Sequence, residues 1–182
     1  MRKEIKPILT KPVDFEHFWR KTREELLALP LSISYEPTDT KNQDCTLTNI
    51  SFLSLENQRI HGYALQWNDS QPRPLIVHAH GYMSQTEVRW EWAQQGFNIV
   101  GVDIRGFGRS RTAVPNPSQW GYVLTGIESP EQSVLRGAVC DYIQAVRVAQ
   151  EICAENASRL VLQGMSFAGG LALMAEYVLQ AA

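Results

Sequence analysis

Seven residues, Gly164-Met165-Ser166-Phe167-Ala168-Gly169-Gly170, join a short apolar run to a segment dominated by Ala and Leu. Leu160, Val161 and Leu162 suit a buried strand, and Leu171 onward suits a helix. A strand that turns directly into a helix bends so tightly that its tip residue takes a strained backbone conformation. Small residues at i−2 and i+2 make room for the bend. Here they are Gly164 and Ala168, with Gly169 behind them. The Ser166 hydroxyl then stands clear of the sheet. The helix aims its first N–H groups at the place where an acyl carbonyl would gather negative charge. This arrangement suits nucleophilic acyl transfer. A plain strand-to-helix turn uses the same small residues, so the rest of the chain has to decide.

Two further strand ends carry unusual residues, and in open parallel sheets ligands gather outside the carboxyl ends of strands. His78-Ala79-His80-Gly81-Tyr82 is the first. Gly81 permits a close turn, and the Tyr82 N–H is a candidate oxyanion donor facing the Ser166 hydroxyl; the alternative is a tight turn that simply needs glycine. His78 and His80 alternate along one strand and share a face, but no third ligand joins them, so a metal site is not expected. Asp103-Ile104-Arg105-Gly106-Phe107-Gly108 is the second. Hydrogen bonds and an ion pair that fix the loop are expected there. Phosphate cradling is not, because these glycines do not open a helix of the dinucleotide type.

The elements that must position these residues follow from periodicity. A helix is expected over 13–29: Asp14 suits the N-cap, Phe15, Phe18, Trp19, Thr22, Leu26 and Leu29 recur at helical spacing, and Pro30 ends the run. Leu31 to Pro37 reads as extended. An antiparallel hairpin is expected over 46–67, with alternating strands on either side of Glu56–Arg59. From 75 to 182 the chain reads as βα units. Leu75–Gly81 and Phe97–Asp103 are buried strands, Glu87–Gly96 a short helix, and Glu131–Ala154 a long helix capped near Ser129. A Pro/Gly-bearing excursion runs from Thr112 to Pro130. Repeated βα units imply a mostly parallel sheet with helices on its faces.

Composition narrows the function. The 182 residues suit one domain, and a net charge of −2 gives no reason to expect nucleic acid or an anionic membrane as partner. Cys45, Cys140 and Cys153 are odd in number and widely spaced, which favours a reducing, cytoplasmic setting. No apolar run is long enough to span a bilayer, and the basic start lacks the apolar core of a signal peptide.

His80-Gly81-Tyr82, Asp103 through Gly108, and Gly164 through Gly170 occur in an order and spacing that resemble the α/β-hydrolases. More narrowly they resemble the acetyl xylan esterase and cephalosporin-C deacetylase family. The Asp14–Trp19 helix, Arg59-Ile60-His61-Gly62, the Gly121–Ile127 segment and the helix with Arg136 and Asp141 are similar to the same family. The resemblance implies an esterase that removes acetyl or other small acyl groups from sugar or antibiotic alcohols. Ser166 would be its nucleophile, and the backbone N–H groups of Tyr82 and Phe167 its oxyanion hole. It implies no cofactor and no metal. Family members often form ring-like homo-oligomers, which leaves self-association open. Two departures touch specificity: the family usually has Gln and Gly after the serine, where this chain has Phe167 and Ala168, and glycines where it has Met83 and Ser84.

A larger departure concerns the base. In this fold the acid and the histidine follow the serine in the chain. Only sixteen residues follow Ser166, none of them Asp or His, and His17, His61, His78 and His80 all precede it. The triad Asp and His are therefore not present in this chain. It reads as the N-terminal part of a hydrolase domain, ending after the elbow helix, with the elbow strand at a sheet edge. Two other functions compete. One is a non-catalytic module that binds a partner through that edge. The other is a serine peptidase of the same fold, which the Thr112–Pro130 excursion fits less well. Without a base the hydroxyl stays protonated and is a poor nucleophile. The purified 182-residue chain is expected to turn over p-nitrophenyl acetate no faster than background. Turnover that disappears in Ser166→Ala would overturn this.

Overall fold

The structure is a computed structural model that describes residues 10–38, 42–153 and 157–180. Helix α1 spans Phe15–Leu27 and buries Trp19, Thr22 and Leu26, the stripe expected from its spacing. It is shorter at each end than the expected 13–29. Asp14 holds the N-cap position but makes no side-chain cap bond, and Val13 is fully exposed.

Among the described residues six strands form one sheet: β1 (Ser34–Pro37), β2 (Cys45–Ser54), β3 (Gln58–Trp67), β4 (Arg73–Ala79), β5 (Asn98–Asp103) and β6 (Ala157–Gln163). Their order is β1-β2-β3-β5-β4-β6. The first three are antiparallel, and β3 meets β5 antiparallel. Strands β4 and β5 pair in parallel, as do β4 and β6. The β2–β3 turn places Glu56 at φ 62° and Asn57 at φ 56°, a left-handed conformation that Asn tolerates better than most residues.

Period-two alternation sends the two sets of side chains to opposite faces. Ile60, Ala64, Leu75, Val77, Val100 and Val102 join the larger core beneath α1, α3 (Val134–Ile152) and α4 (Phe167–Gln180). Cys45, Leu47, Tyr63, Leu65 and Ile99 join a smaller core around α2 (Trp90–Gln94). No helix is long and apolar enough to cross a membrane among the described residues.

Two helices begin later than periodicity suggests, for local reasons. Residues 86–89 are pinned by strand-side groups before α2 can start. The Thr86 N–H donates to Asp103, and the Tyr63 hydroxyl bonds both the Glu87 carbonyl and the Arg89 N–H. Helix α3 starts at Val134, not Glu131, because Ser133, and not Ser129, is its cap; the Ser133 hydroxyl accepts from the Leu135 N–H.

Helix α3 ties the sheet's carboxyl ends together. The Tyr142 hydroxyl shares its one proton between the Val77 and Gln163 carbonyls, at 2.9 and 2.8 Å, bridging β4 and β6 just before the elbow. Asp141 takes a two-pronged hydrogen bond from Arg105 at 3.0 and 2.9 Å, and a third from the Arg105 N–H. Both side chains are buried. Glycine at 137 is required, since a Cβ there would collide with the guanidinium. Burial works against the Arg105 charge, but Asp141 more than offsets it and holds the group ionised.

Removing one partner of such a pair strands a charge away from water. Asp141→Asn is expected to lower unfolding free energy by about 3–5 kcal/mol. Glu56→Gln, which touches the same arginine from a half-exposed position, should cost less than about 1 kcal/mol. Urea denaturation of the two variants checks the contrast.

Candidate active site

Strand β6 ends at Gln163, and α4 begins four residues later, at Phe167 and not at Leu171. Ser166 lies between them, exposed, with φ 56°. That left-handed conformation strains a residue with a side chain. Its carbonyl accepts from the Gly170 N–H and starts the helix. Gly164 passes so close to the first turn of α4 that a Cβ would collide with the Ala168 carbonyl. Gly169 packs back on Gly164, and Ala168 is fully buried beneath the bend. The small residues flanking Ser166 are therefore a steric requirement of the turn.

The loop after β4 lies on the same rim. The Tyr82 and Phe167 rings meet edge to face with centroids 5.8 Å apart. Among the described residues, neither the Tyr82 N–H nor the Phe167 N–H donates to a protein acceptor. The next residue, Met83, has φ 54° and is largely exposed, so this loop is strained as well.

His80 anchors that loop from below. The Ile104 N–H donates to its Nε2 at 3.1 Å, so Nδ1 carries the proton and donates to the Gly81 carbonyl at 2.7 Å. Both nitrogens are used, the ring is buried, and burial holds its pKa below the ordinary histidine value. A ring whose lone pair is already taken by a backbone N–H cannot accept the Ser166 proton. His78 is buried on the α2 face, sharing a hydrogen bond with the Tyr63 hydroxyl and packing on Trp92. The two histidines therefore serve separate networks. His61 lies on β3 and pairs with Asp103 of β5, two strands away from β6. His17 lies on α1 beside Arg20.

The loop after β5 is fixed as its residue types suggested. Asp103 is buried and accepts from the Thr86 N–H, the Arg109 N–H and Arg109 Nε. Burial opposes its charge, yet these donors keep its pKa below the usual carboxylate range. A cleft of about 1060 Å³ opens over this loop, lined by Met83, Gln85, Phe107, Arg111 and Pro115 among others.

Sequence reading missed how Phe107 and Tyr122 enter the site. Phe107 packs on the His80 ring at 5.3 Å, and Tyr122 donates its hydroxyl to the Arg105 carbonyl at 2.8 Å. The available signal was an aromatic residue at each strand end, but nothing local placed Tyr122, fifteen residues past Phe107, beside it.

A mixed sheet, antiparallel from β1 through β5 and parallel across β5, β4 and β6, with an exposed serine at positive φ between strand and helix, defines an α/β-hydrolase fold. The sequence profile of the acetyl xylan esterase (AXE1) family matches residues 2–181. The chain belongs to that family. The acetyl xylan esterase from Paenibacillus sp. R4 superposes with a TM-score of 0.82 at 25% identity, over 95% of this chain and 58% of that one. Acetyl xylan esterase 1 from Thermoanaerobacterium sp. JW/SL YS485 superposes with a TM-score of 0.83 at 19% identity, over 94% of this chain and 56% of that one. The chain thus spans less than two thirds of the length of either.

The buried histidines make stability sensitive to acid. Burial pushes the His78 pKa down to about 3 from the ordinary 6.5, with the nearby Arg89 charge adding to it. Between these values the unfolded chain binds a proton that the folded chain does not, so stability is full above 6.5 and declines as pH falls towards 3. The urea midpoint should drop between about pH 7 and pH 4.5. His78→Gln, which keeps a donor for Tyr63, should show a shallower drop; equal slopes would refute the assignment.

Proposed function

We propose that this chain supplies the nucleophile and both oxyanion donors of a carboxylic ester hydrolase that removes acetyl or other small acyl groups from sugar or cephalosporin-type alcohols. One observation carries the reading. Ser166 stands exposed at positive φ at the start of α4, on the rim where Tyr82 packs against Phe167, and among the described residues neither of their backbone N–H groups has an acceptor. Membership in the acetyl xylan esterase family supports the substrate class.

In this mechanism Ser166 Oγ attacks the acyl carbon, and the carbonyl oxygen becomes an oxyanion held by the two N–H groups. The tetrahedral intermediate collapses, the alcohol leaves with a proton, and water then releases the acid from the acyl-serine. The first step needs a base to take the hydroxyl proton. None of the four histidines is placed to do so: His80 has both nitrogens engaged, and the other three belong to β3, β4 and α1. Glu176 sits near the far end of α4, where it accepts a hydrogen bond from Gln180.

A second reading has its own observation. Among the described residues strand β6 bonds to β4 alone, and Leu160 and Leu173 are exposed beside it, as a binding edge would be. Chemistry separates the two. With imidazole added as the base, a fluorophosphonate should modify Ser166 at least about a hundredfold faster than the exposed loop residue Ser70. Peptide mass spectrometry, with Ser166→Ala as the control, reads the difference. Equal, slow modification of both serines would sink the esterase reading and favour the binding module.

A further inference from the structure

Four aromatic rings, from Tyr82, Phe107, Tyr122 and Phe167, contact one another in every combination. Their six centroid separations run from 4.4 to 6.2 Å, five of them edge to face. Each ring comes from a different segment: the loop after β4, the loop after β5, the 3-10 turn Tyr122–Leu124, and the first residue of α4. Tyr82, Phe107 and Tyr122 belong to neither core cluster, and Phe167 only borders the larger one. The group is therefore a satellite cluster at the sheet's carboxyl rim and not an extension of the core.

The cluster is seated on rigid backbone. Tyr122 is buried, and its hydroxyl is tied to the Arg105 carbonyl. Gly106 has φ 83°, and a Cβ there would lie 2.7 Å from the Tyr122 ring, so the ring rests on bare main chain. Phe107 rests on the His80 imidazole, which holds the carbonyl of the Gly81–Tyr82 peptide. That same peptide unit carries the Tyr82 N–H. Two of the four rings thus belong to the residues whose N–H groups are the oxyanion donors, and the other two are their supports.

We propose that Phe107 and Tyr122 are positioning residues: with the rings of Tyr82 and Phe167 they form a clamp that sets the spacing and direction of the two oxyanion N–H groups. The proposal rests on the oxyanion roles given above. It has a physical rationale, because edge-to-face ring pairs hold a fixed geometry and a displacement of about 1 Å in a donor is enough to lose its effect. The strained Met83 next to Tyr82 gives the loop a reason to relax elsewhere once the clamp is opened.

The test uses the full chain labelled with nitrogen-15, first without any ligand. In the wild type the Tyr82 and Phe167 amides should show order parameters of about 0.85, like those of β4 and β5. In Phe107→Ala and in Tyr122→Leu the Tyr82 value should fall below about 0.6 while the strands stay unchanged. Tyr122→Phe keeps the ring but loses the hydroxyl's tie to the Arg105 carbonyl, and its Tyr82 amide should stay more ordered than in Tyr122→Leu. If Phe107→Ala fails to fold, Phe107→Leu replaces it. Tyr82 and Phe167 amides as ordered as the wild type's in the folded variants would overturn the clamp, as would a Tyr122→Phe as loose as Tyr122→Leu. Acetate is then titrated as the anion. It should move the two amides together, and the clamp variants should bind it at least about tenfold more weakly, the worth of one charge-assisted hydrogen bond. Order lost in the variants, with no acetate response in the wild type, would uphold the clamp and sink the oxyanion roles instead.

Discussion

The buried pair of Arg105 and Asp141 is the constraint on which the carboxyl rim depends. It joins the loop after β5 to the middle of α3, and the same guanidinium donates to the Leu55 carbonyl at the β2–β3 turn. A charge taken out of water must find such partners or fail to fold. Its satisfaction therefore fixes three parts of the chain relative to one another: the antiparallel hairpin, the central strand β5 and the long helix. Tyr142, the next residue of α3, extends this hold to β4 and β6 through two carbonyls. One helical turn thus governs the ends of the three parallel strands.

What stands on that rim is a set of backbone groups more than of side chains. The elbow presents one hydroxyl and one N–H, and the loop after β4 presents another N–H. The surrounding polar side chains are consumed in holding these loops. Asp103 and His80 are buried, and the hydrogen bonds they make go to main-chain groups or to Arg109. The proposed acyl transfer accounts for this division. Charge develops on an oxygen that fixed donors must already face, so rigidity at the donors counts for more than extra functional groups. It also explains why a histidine so near the candidate site is unsuited to proton transfer there.

Much of the fold was legible because each level pointed the same way. Alternation in Thr46–Leu55 and Ile60–Trp67 marked a hairpin, and continuous apolar runs at Leu75 and Phe97 marked strands buried on both faces. Where reading fell short, a distant group had intervened. The start of α2 is delayed because Tyr63, on another strand, holds residues 87–89 through its hydroxyl. The start of α3 shifts from the neighbourhood of Ser129 to Ser133, although both serines have N-cap chemistry; which of them caps depends on where the excursion returns to the body. Strand order belongs to the same class, since nothing local places β5 between β3 and β4.

By itself, the amino-acid sequence determined the elbow at Ser166, because the need for small residues at Gly164 and Ala168 is a steric rule acting within a few residues. It also determined the βα succession, which periodicity carries without reference to the rest of the chain. Only the tertiary structure decided that Tyr82, Phe107, Tyr122 and Phe167 form one cluster, that His80 is a neutral tether, and that Arg105 pairs with Asp141. These are contacts between residues far apart in the chain. Ring packing and buried hydrogen bonds act over a few ångströms, so the partners are defined only once the sheet has brought its strand ends together.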